Sequence, residues 1–136
     1  MRVVIDTNVL VSALLSELNS PTALTLEKVL KDTDCKLLLS PDLLAEYEDV
    51  LTRKKFSKAF LDKDIRALLS GLAVESMFII PFSEINACED ADDNMVLALA
   101  QDGFADCIST GDDHLLKLHP FEKIPILSPS AFLKVF

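Results

Sequence analysis

The chain has 136 residues, half of them hydrophobic, and a formal charge of −9. That length suits one domain, residues 1–136, with a core of its own and no need of disulfide or structural metal. The acidic balance excludes a simple basic nucleic-acid-binding module and fits either a basic partner or carboxylates gathered around divalent cations.

Residues 1–10 open with a short apolar run, Val3 to Ile5, that ends on Asp6. A carboxylate directly after β-branched residues ends a strand, because it competes for nearby backbone donors. Thr7 and Asn8 can cap the next element, since Val9 to Leu15 is apolar enough for a buried helix. Asp6 thus stands at the carboxyl end of a strand, where open α/β sheets hold ligands. Taken alone it is equally a helix cap. Ser20-Pro21 starts a second helix that runs through Lys31 with Leu24, Leu26, Val29 and Leu30 apolar. Lys36 to Ser40 is the second strand. Pro41 opens a helix to Leu51 with the stripe Leu43, Leu44, Tyr47, Val50 and Leu51. Glu46 and Glu48 flank that stripe on opposite sides, so periodicity places one glutamate in a cleft without saying which.

Arg53, Lys54, Lys55 and Lys58 form the basic cluster of the chain. They are candidate phosphate contacts, although such a run is also an ordinary solvated face. The pattern predicts a helix from Asp62, as its cap, to Leu72, stopping near Gly71. A third strand, Met77 to Ile80, closes at Pro81, and residues 82–89 read as loop. Asp90, Asp92 and Asp93 precede a helix through Gln101; acids at a helix start are ordinarily dipole chemistry. Asp106 to Thr110 is the fourth strand, running into Gly111, Asp112, Asp113 and His114 and a short helix. Ile124 to Leu127 is the fifth, and Ala131 to Phe136 the last helix. Strands alternating with helices predict an α/β fold, a parallel sheet covered on both faces. Cys35, Cys88 and Cys107 form no CxxC pair and read as small core residues. The longest apolar runs fall far short of a membrane span, so no membrane association and a cytoplasmic location are expected.

In a parallel sheet the residues just past the strands share one rim. Asp6, Glu46 or Glu48, the acids at 90–93, and Asp112 with Asp113 therefore converge from four connections. Capping explains each alone but not the set, because clustered unpaired carboxylates repel. Oxygen-only donors select magnesium or manganese over zinc. Such an ion with open positions suits phosphodiester hydrolysis by activated water. With three glycines and no phosphate loop, nucleotide cradling is excluded, as is a GxSxG nucleophile. The DxDx[TV] pattern of another α/β phosphatase type is absent too.

Five blocks resemble the PIN-domain nucleases: Val-Val-Ile-Asp-Thr-Asn-Val-Leu-Val-Ser-Ala-Leu at 3–14, Ser-Pro-Asp-Leu-Leu-Ala-Glu at 40–46, Asp-Ala-Asp-Asp-Asn-Met-Val-Leu-Ala-Leu-Ala at 90–100, Ser-Thr-Gly-Asp-Asp-His-Leu-Leu at 109–116 and Ile-Pro-Ile-Leu-Ser-Pro-Ser-Ala-Phe-Leu at 124–133. They occur in order along the whole chain. The resemblance is to the subgroup described as toxins of prokaryotic toxin–antitoxin pairs. It implies a three-layer α/β/α sandwich with a five-stranded parallel sheet of order 3-2-1-4-5. It implies an Mg2+- or Mn2+-dependent endoribonuclease with Asp6, Glu46, Asp93 and Asp112 as metal-binding catalytic acids, which selects Glu46 over Glu48. Asp90 matches a further acidic position, acting through water or a second metal, and Asn8 and Thr110 match supporting polar positions. The implied partners are RNA, a basic antitoxin and, in some arrangements, a second copy of the chain. The alternatives are a non-catalytic interaction subunit and a nuclease of RNA processing. Two positions depart from the pattern: Ala91 stands where Pro is common, and His114 where an acid is common. His114 is expected at the surface or behind the ligands rather than on a zinc ion.

Overall fold

Val3, Val4 and Ile5 are all buried, so both faces of their strand are covered, as a central parallel strand requires. The computed structural model describes residues 1–136. Its elements run β1 Arg2–Ile5, α1 Thr7–Leu15, α2 Pro21–Lys31, β2 Lys36–Leu39, α3 Pro41–Leu51, a 3-10 turn Lys54–Phe56, α4 Asp62–Glu75, β3 Met77–Phe78, α5 Ala91–Asp102, β4 Cys107–Ser109, α6 Asp113–Leu116, β5 Ile126–Leu127 and α7 Pro129–Val135. The five strands form one sheet of order β3-β2-β1-β4-β5, all pairs parallel. The expected α/β architecture and strand order are both present, with β1 in the middle.

Right-handed crossovers require the helices between β1, β2 and β3 to lie on one face and those of the return to β4 and β5 on the other. The packing agrees: α1 rests on α2 and α3, α3 on α4, α7 closes against α2, and α5 lies on β1 and β2. The core between the layers is built from Ile5, Leu10, Leu38, Leu39, Leu43, Leu97, Leu99, Ile108 and Phe132, each at most 1% exposed. Cys35 and Cys107 belong to this core; Cys88 is partly exposed, and all three are free thiols. No helix is long and apolar enough to cross a membrane.

Element ends differ from the sequence reading in informative ways. α4 passes Gly71 and ends at Glu75, with Ser76 as its C-cap. Gly71 sits in open space on an exposed face, and a glycine there costs about 1 kcal/mol of helix propensity, which burial of Ile65, Leu69 and Leu72 outweighs. Its N-cap is Leu61, not Asp62, and no side chain caps it. Both edge strands are two residues long. Ile79 still donates to the Leu39 carbonyl at 2.8 Å, but Pro81 then removes a donor. At the other edge Ile124 pairs backwards with Phe121 instead of extending β5. Short edges also leave little unpaired backbone for aggregation.

Candidate metal centre

The register sets Ile5 opposite Ser109, so the next residues, Asp6 and Thr110, emerge side by side at the carboxyl rim. Asp6 is 6% exposed and is itself the N-cap of α1, its Oδ1 accepting the Thr7 N–H at 2.9 Å. Neither Thr7 nor Asn8 serves as the cap; Thr7 is the first helical residue. Asp6 Oδ2 accepts the Asn8 side-chain amide at 2.8 Å and the Thr110 hydroxyl at 2.7 Å. Two carboxylate oxygens offer about four acceptor sites, and these three bonds leave one on Oδ1. Cap and ligand are therefore compatible roles. Burial raises the Asp6 carboxyl above its ordinary range, against its three donors, and the charge of Asp112 adds to the rise.

Thr110 is fully buried and acts twice: its oxygen also accepts the Asp112 N–H at 3.0 Å. Asn8 bridges in the same sense, since its Oδ1 accepts the Gly111 N–H at 2.8 Å. The two side chains that the sequence motif marks as supports thus tie Asp6 to the loop carrying Asp112.

Glu46 owes its place to its neighbour in α3. Ser40 caps that helix, accepting from the Leu43 N–H at 3.1 Å, and the buried Tyr47 hydroxyl donates to the Ile5 carbonyl at 2.5 Å. That bond pins α3 over the end of β1 one residue from Asp6. Glu46, partly buried, then turns into the cleft, while Glu48 is exposed and outside it. The Thr7 hydroxyl donates to Glu46 Oε2. Burial pushes the Glu46 carboxyl up to about 7; the Thr7 bond opposes this, and the charges of Asp92 and Asp6 add to it.

The third acidic group comes from the start of α5. Asn94 clamps the preceding loop, accepting the Cys88 N–H and donating to the Cys88 carbonyl, both at 2.8 Å. Asp90 caps α5 by accepting the Asp92 N–H at 2.9 Å. Asp93 is 8% exposed and accepts no hydrogen bond from the protein. Burial pushes its carboxyl up to about 6, with Asp112, Asp90 and Asp6 adding repulsion and His114 opposing it. Asp112 caps α6, accepting the His114 N–H at 2.9 Å. One ligand atom each from Asp93, Asp112 and His114 lies within 4.8 Å of the others.

These groups line one cleft of about 550 Å3, which brings together Asp6, Glu46, Asp90, Asp92, Asp93 and Asp112. Of the four basic residues singled out in the sequence, one reaches it: Lys55 lines the cleft with its ammonium 5.0 Å from the Phe56 ring centroid. Arg53 turns away to Asp49 at 3.3 Å, and Lys54 and Lys58 are exposed outside the cleft. One contributor was not expected from the sequence: Thr7, whose hydroxyl holds Glu46. Asp92, one of the acids at 90–93, presses on Glu46, and the ring of His114, with its side chain 79% exposed, lies beside Asp93 and Asp112. The run of acids at 90–93 was the visible signal for Asp92; nothing in the linear sequence marks Thr7 as reaching across to α3.

The cluster of Asp93, Asp112 and His114 can hold a metal ion. The Asp93 carboxylate opens into the cleft without a protein partner, Asp6 keeps an open acceptor site, and the surplus of negative charge has a single cation, Lys55, in the cleft. A parallel sheet with carboxylates gathered past its central strands defines an α/β domain with an acidic site at its rim. The chain belongs to the PIN domain family, whose model matches residues 2–114. It is 30% identical over 150 residues to the uncharacterized protein MJ1680 of Methanocaldococcus jannaschii, an alignment covering 100% of this chain and 92% of that one. Its fold is similar to a chain in the crystal structure of VapBC2 from Rickettsia felis bound to a promoter DNA fragment, with a TM-score of 0.57 and 17% identity over 94% of this chain and 98% of that one.

Proposed function

We propose that residues 1–136 form one nuclease domain, an Mg2+- or Mn2+-dependent endoribonuclease of the cytoplasm. The observation that carries this reading is Asp93: its carboxylate has no protein donor, opens into the cleft and faces Asp112 among further acids. Asp6, Glu46, Asp93 and Asp112 would hold the ion, with Asp90 beside them. When bound, such an ion lowers the pKa of water and steadies charge on a phosphate. Thr110 and Asn8 orient Asp6 and the Asp112 loop, and Thr7 orients Glu46. Lys55 offers a phosphate contact at the mouth of the cleft. His114 is a poor partner for magnesium, which prefers oxygen, and its exposed ring suits a place beside the ion rather than on it.

The fold likeness to VapBC2 and the −9 charge support a toxin role with a basic antitoxin as partner. The second reading, a nuclease of RNA processing, uses the same site without that partner. The test is cleavage of RNA by purified protein in magnesium or manganese. Activity abolished by chelation and by Asp6→Asn supports the mechanism; activity surviving both sinks it. Growth arrest on expression, relieved by a co-expressed basic partner, supports the toxin role.

A further inference from the structure

A second groove of about 370 Å3 adjoins the acids and is not lined by Lys55. It shares Asp90 and Asp93 with the cleft and runs on past Cys88 to His114 and Lys117. The two depressions therefore meet at these two acids. Lys55 lines the cleft over an aromatic ring, and Lys117 lines the groove together with an exposed imidazole. Lys117 is exposed and takes part in no ion pair.

A polyanion crossing six carboxylates is repelled wherever no cation stands. An ion among the acids neutralises one phosphate only; the phosphates on either side need cations of their own. Each depression supplies one lysine, together with ring faces on which an unpaired base can stack. Resting on the ribonuclease reading, we propose that the groove beside Asp90 and Asp93 seats the nucleotide next to the scissile phosphate of single-stranded RNA, with Lys117 contacting its phosphate and His114 its base. Lys117 is thus a substrate-positioning residue outside the metal centre. The groove also contains the accessible thiol of the chain, Cys88, because Cys35 and Cys107 are buried.

The experiment compares wild type with Lys117→Ala and Lys117→Glu on a fluorescent single-stranded RNA in manganese. Lys117→Glu is expected to raise KM about 10-fold and Lys117→Ala about 3-fold, and the alanine change should lower the salt dependence of binding by about one phosphate contact. The kcat and the affinity for manganese alone should stay within about twofold. Bound RNA should also slow maleimide labelling of Cys88. Wild-type cleavage with an unchanged KM in both variants, and labelling of Cys88 unaffected by RNA, would overturn the groove assignment and leave the nuclease reading standing. Failure of the wild type to cleave or bind RNA overturns both.

Discussion

Neutralising Asp93 should stabilise the metal-free protein at neutral pH. The folded carboxyl titrates at about 6 because it is buried and faces Asp112, Asp90 and Asp6, against an ordinary 3.8. A folded pKa above the unfolded one means that the folded state holds the extra proton. Its stability is complete below about pH 4 and is lost as pH rises through about 6. A rise of that size corresponds to roughly 3 kcal/mol as a ceiling. The side chain opens onto a wet cleft, so screening reduces this to about 1 kcal/mol. Asp93→Asn in chelator at pH 7.5 should therefore melt about 3–5 °C above wild type, and the gain should vanish near pH 4. Millimolar magnesium should reverse the order, because ligand binding at 100 times Kd stabilises the wild type by about 2.7 kcal/mol. Differential scanning calorimetry across pH, with and without magnesium, reads both effects. A variant less stable than wild type in chelator at pH 7.5 would make Asp93 a structural acid instead.

Thr110→Val removes the donor to Asp6 Oδ2 and the acceptor of the Asp112 N–H. It should weaken manganese binding about 10- to 100-fold, as read by electron paramagnetic resonance titration; unchanged affinity would deny Thr110 an orienting role. Magnesium binding should release protons between about pH 6 and 7, since Asp93 and Glu46 titrate at about 6 and about 7 in the free cleft. Affinity should then fall as pH drops below 7, and calorimetry in two buffers of different ionisation heat counts the protons. Tyr47→Phe leaves the buried Ile5 carbonyl without its side-chain donor and should cost about 1–3 kcal/mol in urea unfolding. A change within a few tenths of a kcal/mol would show that the bond does not hold α3 in place.

The alternation of apolar runs with capped helices made the parallel sheet legible, because strands buried on both faces cannot hide a polar residue before their ends. Asp6 and Asp112 were visible for that reason, each standing just past the end of a strand. What the linear pattern lacked was reach between elements. Glu46 and Glu48 are equivalent by helical angle, and only the Tyr47 bond to β1 turns one toward Asp6. Thr7 looked like a cap because its contact with Glu46 spans 39 positions. The ends of β3 and β5 were overrun because an apolar residue at a sheet edge carries the same letter whether or not it is paired. Gly71 misled in the opposite direction, since local propensity cannot register the burial of Leu69 and Leu72.

Anomalous scattering from a manganese-soaked crystal shows whether these acids hold a divalent cation. A peak is expected among the carboxylates of Asp6, Asp93 and Asp112, lost in Asp6→Asn together with RNA cleavage. Well-ordered crystals with no peak in that cleft, from a protein that still cleaves RNA in manganese, would contradict cation binding by these acids.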